Sequence, residues 1–233
     1  MKFMSLLVVL FPISSWGSAY FDLSGGALHN ELRGDSQSYR ASQSFASEVS
    51  IGNRWEKWDL SLDGLYSIAR QKELSFSYGT AQVKDDFNWH SISVGPTVKY
   101  HIQSQSGNWS WAPFAGVFYN HTSFDNSSEF KDATTGKDED NSHEAWGYGA
   151  KLGVQFKTYT NDSSWLESVN YKLFGSYTKY RKSEADYLNS TNNINEYKGD
   201  TPDNLNNYSV GVMVGLTFGD KLYKKTKSAL GLK

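Results

Sequence analysis

Hydrophobic and polar residues alternate with a period of two along most of the chain after residue 19. The clearest segment runs from Ala145 to Thr158, where Trp146 begins a series of large apolar residues at even positions and Gly, Lys and Gln fill the odd positions. The segment from Tyr208 to Phe218 repeats the pattern. Such alternation is typical of β-strands whose two faces meet different surroundings.

Six further segments show a weaker form of the same pattern and are also predicted to be strands. They span residues 20–32, 44–55, 58–70, 87–102, 109–121 and 165–180. In the segment 109–121 both phases carry aromatic residues, so the sequence does not select its outward face. The chain is therefore predicted to be all-β, with eight strands.

The connections between these segments alternate in length. The links at 53–57, 103–108 and 159–164 are short, whereas those at 33–43, 71–86, 122–144 and 181–203 are long and rich in Asn, Ser, Asp and Gly. Barrels of bacterial outer membranes have short periplasmic turns and long extracellular loops. The pattern predicts an antiparallel up-and-down transmembrane β-barrel with this polarity.

The N-terminus has the features of a secretory signal peptide. Lys2 precedes an apolar run at residues 4–13, and Gly17-Ser18-Ala19 offers small residues for cleavage. The run is about half the length that a membrane-spanning helix needs. We therefore expect a cleaved signal peptide at 1–19, a barrel at 20–218 and a basic C-terminal tail at 219–233.

Composition narrows the function classes. The chain has no cysteine, 15% aromatic residues, 20 glycines and a formal net charge of −2. It is thus not a disulfide scaffold, and no basic field indicates a nucleic-acid partner. The acidic residues between 125 and 140 lack EF-hand spacing, so neither a metal nor another cofactor is predicted.

The volume of a small barrel indicates which face points outward. An eight-stranded barrel has a bore just wide enough to be filled by side chains, and the apolar phase is too bulky for it. The apolar phase is therefore predicted to face lipid. The opposite phase places four charged residues inside near mid-strand, either as a paired network or as separately solvated charges: Glu48, Asp63, Lys151 and Lys172.

Large aromatic residues fall near the predicted strand ends, where the aromatic girdles of membrane barrels lie. The predicted girdle consists of Trp55, Trp58, Tyr100, Trp109, Trp146, Trp165 and Phe218.

Together these features resemble the small outer-membrane barrels of the OmpA and OmpX kind. The resemblance covers residues 20–218 as a pattern and departs from the family after Phe218, where many such chains end. It implies a place in the bacterial outer membrane, contact with membrane lipid and lipopolysaccharide, and recognition of the last strand by the barrel-assembly machinery. It also implies extracellular loops that bind surface ligands. A closed barrel has no free strand edge, which favours a monomer.

The leading hypothesis is a non-enzymatic barrel that displays its loops outside the cell, with no catalytic residues. Three alternatives remain open: a narrow passive pore, a soluble barrel of the lipocalin type, and a lipid-modifying enzyme. An enzyme would need a nucleophile, a base and an acid at one lip of the barrel. Residues of these types flank the third long link, namely His121, Ser123, His143 and Glu144.

Overall fold

The fold is built from eight long strands. A computed structural model describes residues 18–33, 38–40, 43–78, 81–128, 141–160, 166–186 and 206–219. Within these ranges no helix is long and apolar enough to cross a membrane. The strands are β1 (Ser18–Arg33), β2 (Gln43–Trp55), β3 (Trp58–Tyr78), β4 (Ala81–Tyr100), β5 (Trp109–Ser128), β6 (Asn141–Tyr159), β7 (Ser168–Asp186) and β8 (Asn206–Phe218). Short strand segments at Ser38–Arg40 and Ile102–Gln103 pair with β1 and β5.

Each strand pairs antiparallel with the next one along the chain, and the last strand closes the sheet. The β1–β8 ladder runs from Phe21 opposite Phe218 to Arg33 opposite Asn206. The chain is therefore a closed, eight-stranded antiparallel barrel, as the alternation predicts. Closure leaves no free edge among the eight strands.

The two ends of the barrel differ. One end, which we call the turn end, holds the start of β1, the end of β8 and the tight β2–β3 turn at residues 56–57. Glu56 adopts a φ of 51° in this turn. The opposite end, the far end, holds the β3–β4 connection between Tyr78 and Ala81.

Several strands extend beyond their predicted ends, and the expected long link at 71–86 is wrong. The β3–β4 ladder continues through this stretch, from Leu74 opposite Asp85 to Tyr78 opposite Ala81, after an irregularity that begins at Gln71. A backbone ladder does not require apolar alternation, because polar residues can occupy both faces of a strand that water surrounds. The hydrophobic alternation therefore ends before the paired strands do.

Other predicted boundaries fall partly on residues that the model does not describe. Strand β5 reaches Ser128, β6 starts at Asn141 and β7 reaches Asp186, while 129–140 and 187–205 lie outside the described residues. Strand β1 starts at Ser18, two residues before the predicted mature N-terminus. Residues 1–17 and 220–233 also lie outside, so the signal peptide and the basic tail stay predictions.

The apolar phase of the strands points outward. Leu152 is 69% exposed and Val212 is 57% exposed, whereas Lys151 is 7% exposed. The phase of β5, which the sequence leaves open, follows the same rule: Trp109, Trp111 and Val117 face outward, and Phe114 faces the interior. Among the described residues, most large apolar side chains therefore lie on the outer surface.

Two adjacent glycines on β1 show how closely the strands approach. A Cβ atom on the inward-facing Gly26 would overlap the backbone of Val212 and Met213 on β8. A Cβ on Gly25, which faces outward, would come no nearer than 3.8 Å to Ala46 O. Gly26 is thus required for the contact that closes the barrel, and Gly25 is not.

We expect Gly26→Ala to destabilise the barrel and Gly25→Ala to leave it nearly unchanged. Overpacking of this kind costs about 1–3 kcal/mol. The free energy of unfolding in urea, followed by tryptophan fluorescence, measures the difference. Equal stabilities of the two variants would contradict the close approach at Gly26.

Candidate functional site: a charged plug inside the barrel

The four charged residues predicted for the interior come together in the bore. Glu48 on β2 and Asp63 on β3 approach from one wall, and Lys151 on β6 and Lys172 on β7 approach from the other. Lys151 Nζ donates to Glu48 Oε2 at 2.9 Å and to Asp63 Oδ2 at 2.6 Å. Lys172 Nζ donates to Glu48 Oε1 at 2.6 Å. Because all four side chains are buried, these contacts form a connected network across the barrel.

A second set of inward charges lies nearer the turn end. The carboxylate of Asp22 lies 3.5 Å from Lys99 Nζ, 3.9 Å from Lys172 Nζ and 4.0 Å from Lys157 Nζ. Lys99 and Lys157 also lie 5.3 Å and 5.1 Å from the ring centroid of the buried Tyr20. Asp22 therefore links these lysines to the central network through Lys172.

The sequence analysis missed Asp22, Lys99 and Lys157 although the signal was present. Asp22 lies between Phe21 and Leu23, and Lys99 lies between Val98 and Tyr100, so the same alternation places both on the inward phase. The predicted network contained only charges near the middle of the strands, and these three residues lie nearer the strand ends. In a tilted, staggered barrel, residues near different strand ends reach the same level of the bore.

A third cluster forms the floor of the bore at the turn end. Arg54 Nε donates to Asp59 Oδ1 at 3.0 Å, and its Nη1 donates to Glu167 Oε1 at 2.7 Å. His101 Nε2 lies 2.7 Å from Asp59 Oδ2. His101 follows the end of β4, and burial lowers the pKa of its imidazole although Asp59 opposes this shift.

The interior charges balance among the side chains that the model describes. Five carboxylates face five basic side chains, apart from His101: Asp22, Glu48, Asp59, Asp63 and Glu167 against Arg54, Lys99, Lys151, Lys157 and Lys172. Burying a single unpaired charge costs several kcal/mol, which pairing offsets. We call these ten side chains the charged plug.

Apolar side chains close the bore above the charged plug. A cluster of Leu28, Ala46, Phe114, Phe174 and Met213 fills the middle, and another of Leu32, Ala69, Trp89, Ala145 and Tyr180 caps it toward the far end. Among the polar residues there, Asn120 Nδ2 donates to Ser91 Oγ and Ser93 Oγ at 2.6 Å and 2.8 Å. A cavity of about 30 Å³ in this region is large enough for one or two water molecules. The bore is thus packed with side chains.

Three of the candidate catalytic residues, His121, Ser123 and Glu144, lie on the outer face of the far end. His121 Nε2 lies 3.4 Å from Glu144 Oε2, and the His121 ring packs on Trp146 at 5.2 Å between centroids. Ser123 lies opposite Glu144 in the β5–β6 ladder. Among the side chains that the model describes, no hydrogen bond joins Ser123 to His121, and the His143 side chain is not among them. The described side chains therefore show a histidine–carboxylate pair at this position.

The described residues contain no group of three or more histidine, aspartate or glutamate side chains suited to a metal ion. The acidic residues Asp132, Asp138, Glu139 and Asp140 lie outside the described ranges.

The predicted girdle residues lie at both ends of the strands. At the turn end, the rings of Trp58 and Tyr100 are 4.8 Å apart, and Phe218 lies 6.0 Å from Phe21. Trp55 and Trp109 belong to the same end, Trp146 lies toward the far end, and Trp165 is outside the described residues. The sequence analysis missed four exposed tyrosines near the far end: Tyr119, Tyr148, Tyr177 and Tyr208. We call these four residues the tyrosine belt.

No protein-family model matches the sequence. A search of curated proteins also gives no match. Solved structures do show the same architecture. A major outer membrane protein from Thermus thermophilus has 13% identity and a TM-score of 0.53, with 86% of this chain and 99% of that chain covered.

Two further barrels match with TM-scores of 0.44. They are Neisserial surface protein A, with 17% identity over 85% of this chain and 96% of its own, and Ail, the attachment invasion locus protein of Yersinia pestis, with 14% identity over 86% and 99%. At these identities the likeness concerns the fold. The closed strand order, together with the match to the Thermus thermophilus structure, confirms the predicted fold: the chain has the architecture of a small, eight-stranded outer-membrane barrel.

We expect Lys151→Met to lower the free energy of unfolding by about 3–5 kcal/mol, because it leaves two buried carboxylates without their shared cation. Lys57→Met, at the exposed β2–β3 turn, removes the same charge and serves as the control.

The double variant Glu48→Gln/Lys151→Met tests whether the two residues are coupled. We expect its loss of stability to be smaller than the sum of the two single losses. Strict additivity in urea unfolding would indicate that the charges act separately.

Proposed function

We propose that this chain is a non-enzymatic protein of the bacterial outer membrane, a closed barrel that displays loops on the outside of the cell. In this proposal membrane lipid surrounds the apolar outer surface. The packed interior makes the barrel a rigid support for the loops. In this proposal the turn end lies in the periplasm and the far end faces outward.

The observation that carries the proposal is the reversed distribution of polarity. Phe45, Val117 and Leu152 are each at least 60% exposed, whereas eight of the ten side chains of the charged plug are buried and Arg54 and Glu167 are half-buried. In water this arrangement would expose a large apolar surface and bury these charges without need. In lipid it is favourable, because closed barrels satisfy every backbone group and require apolar side chains only outside.

The length of the strands supports the proposal that the far end extends out of the membrane. Strands β3 and β4 contain 21 and 20 residues. About 9–11 residues are sufficient for a tilted strand to cross the hydrocarbon core. Since both strands start or end near the aromatic residues of the turn end, roughly half of the hairpin extends beyond the opposite membrane surface. Loops joined to such strands stand away from the lipid and are available to ligands.

Three classes of partner follow from this placement. Membrane lipid and lipopolysaccharide surround the barrel, and extracellular molecules meet the loops. The barrel-assembly machinery would recognise β8, which ends at the aromatic Phe218. Closure of the β1–β8 ladder supports a monomer, since no strand edge is available for a second copy.

We expect Leu152→Lys to reduce stability in lipid vesicles by roughly 2–4 kcal/mol, because the substitution places a cation on the lipid-facing surface near mid-strand. Gln103→Lys, at the exposed turn end, is the matched control and should fold like the wild type. Folding is measured by heat-dependent migration in unboiled gels, together with fractionation of cell membranes. A wild-type protein recovered outside the outer-membrane fraction, or equal folding of the two variants, would contradict the proposal.

We expect the purified barrel to be electrically silent in planar bilayers. Among the described residues, the cavity in the upper bore has a volume of about 30 Å³, which is too small for a path of hydrated ions. A porin reconstituted by the same procedure provides the positive control. Reproducible single-channel steps from the folded protein would favour the pore instead.

A further inference from the structure

Three exposed cations cluster on one sector of the outer face, at the far end of β1, β7 and β8. Arg33 lies opposite Asn206, Asn206 opposite Lys179, and Lys179 opposite Tyr148, so these residues form one row across four strands. Adjacent strands are about 4.8 Å apart, which separates Arg33 from Lys179 by about 10 Å. Arg181 follows two residues after Lys179 on the same outward phase. The three side chains can therefore face a single large anionic headgroup.

The tyrosine belt contacts two of these cations through its aromatic rings. The Arg33 guanidinium lies 5.0 Å from the Tyr208 ring centroid, and the Arg181 guanidinium lies 5.6 Å from that of Tyr148. The rings of Tyr177 and Tyr208 are 5.1 Å apart. Stacking on rings limits the freedom of both guanidinium groups before a ligand binds.

Aliphatic side chains lie next to the belt on the side of the turn end. Leu152, Leu173, Val210 and Val212 are all more than half exposed on the same sector. The sector thus changes from aliphatic through aromatic to cationic along the barrel axis. An occupant of matching chemistry has acyl chains at one end and negative charge at the other.

The described outward side chains of the opposite sector carry fewer cations. They include Phe45, Ile68 and Ile92 together with the stacked pair Tyr66 and His90. Among the side chains described there, Arg70 is the one outward lysine or arginine, against three on the sector of β1 and β7.

We propose that this sector, formed by Arg33, Lys179, Arg181 and the tyrosine belt, binds the phosphate groups of the lipid A part of lipopolysaccharide. The proposal rests on the outer-membrane location proposed above. Arg33 Nε donates to Glu31 at 3.0 Å, which uses one of five guanidinium N–H donors. Among the side chains described near the sector, the other acidic one is Glu144, which lies beside His121. Three cations against Glu31 and Glu144 leave the described part of the patch with a net positive charge.

The test measures lipid binding to the folded barrel in detergent by native mass spectrometry. We expect the wild type to bind bisphosphorylated lipid A more tightly than dephosphorylated lipid A. The variant Arg33→Gln/Arg181→Gln should bind the phosphorylated form roughly tenfold more weakly, since cations near an anionic lipid surface act approximately additively.

Lys57→Gln/Arg70→Gln removes the same charge from the turn end and the opposite sector, and it should stay within about twofold of the wild type. Arg33→Lys/Arg181→Lys should recover part of the affinity, because it retains the charge and loses the planar donors. Heat-dependent gel migration verifies that each variant is folded.

Equal binding of phosphorylated and dephosphorylated lipid A, or equal losses in the two glutamine variants, would overturn the proposal. So would selective binding of phosphatidylglycerol over lipid A, because it would indicate attraction to any anionic lipid. These outcomes are independent of cell fractionation, which tests the outer-membrane location itself.

Discussion

The bore of an eight-stranded barrel has room for only one layer of side chains, and the arrangement of this protein follows from that limit. Successive side chains of each strand point alternately into the bore and away from it. Most large apolar residues of the eight strands cannot fit inside, so they lie outside, and the bore holds two small apolar clusters together with glycine, serine and a set of long polar side chains. The outer surface is consequently apolar, and the protein requires a surrounding apolar solvent.

The same limit explains why charges fill the interior. A narrow bore separated from water cannot solvate an isolated ion, but opposite walls are close enough for lysine to span. Lys151 contacts acids on two adjacent strands, and Lys172 connects Glu48 with Asp22. Each contact joins strands that are distant in sequence and are not neighbours in the sheet. The charged plug therefore connects strands on opposite sides of the barrel, while the backbone ladders connect neighbouring strands.

The interior and the outer surface of the barrel have different properties. In the proposed function, the packed bore serves as a rigid scaffold and the exterior carries the groups that contact other molecules. The aromatic residues at the turn end, the aliphatic band and the tyrosine belt lie in the order that a membrane presents from one surface to the other. The asymmetric group of Arg33, Lys179 and Arg181 adds a preference for one side of the barrel, which alternation by itself does not supply.

The sequence determined the number of strands, their antiparallel order and the outward face of seven of them, because a period of two is a local property. It also placed Glu48, Asp63, Lys151 and Lys172 on the inward phase. The tertiary structure decided the phase of β5, where aromatic residues occupy both faces and only pairing with β4 and β6 selects one. It extended β3 and β4 through residues 71–86, since backbone pairing continues where hydrophobic alternation ends. It also brought Asp22, Lys99 and Lys157 to the central charges, because the tilt and stagger of the strands, which set the level of each residue in the bore, exist only in the closed sheet.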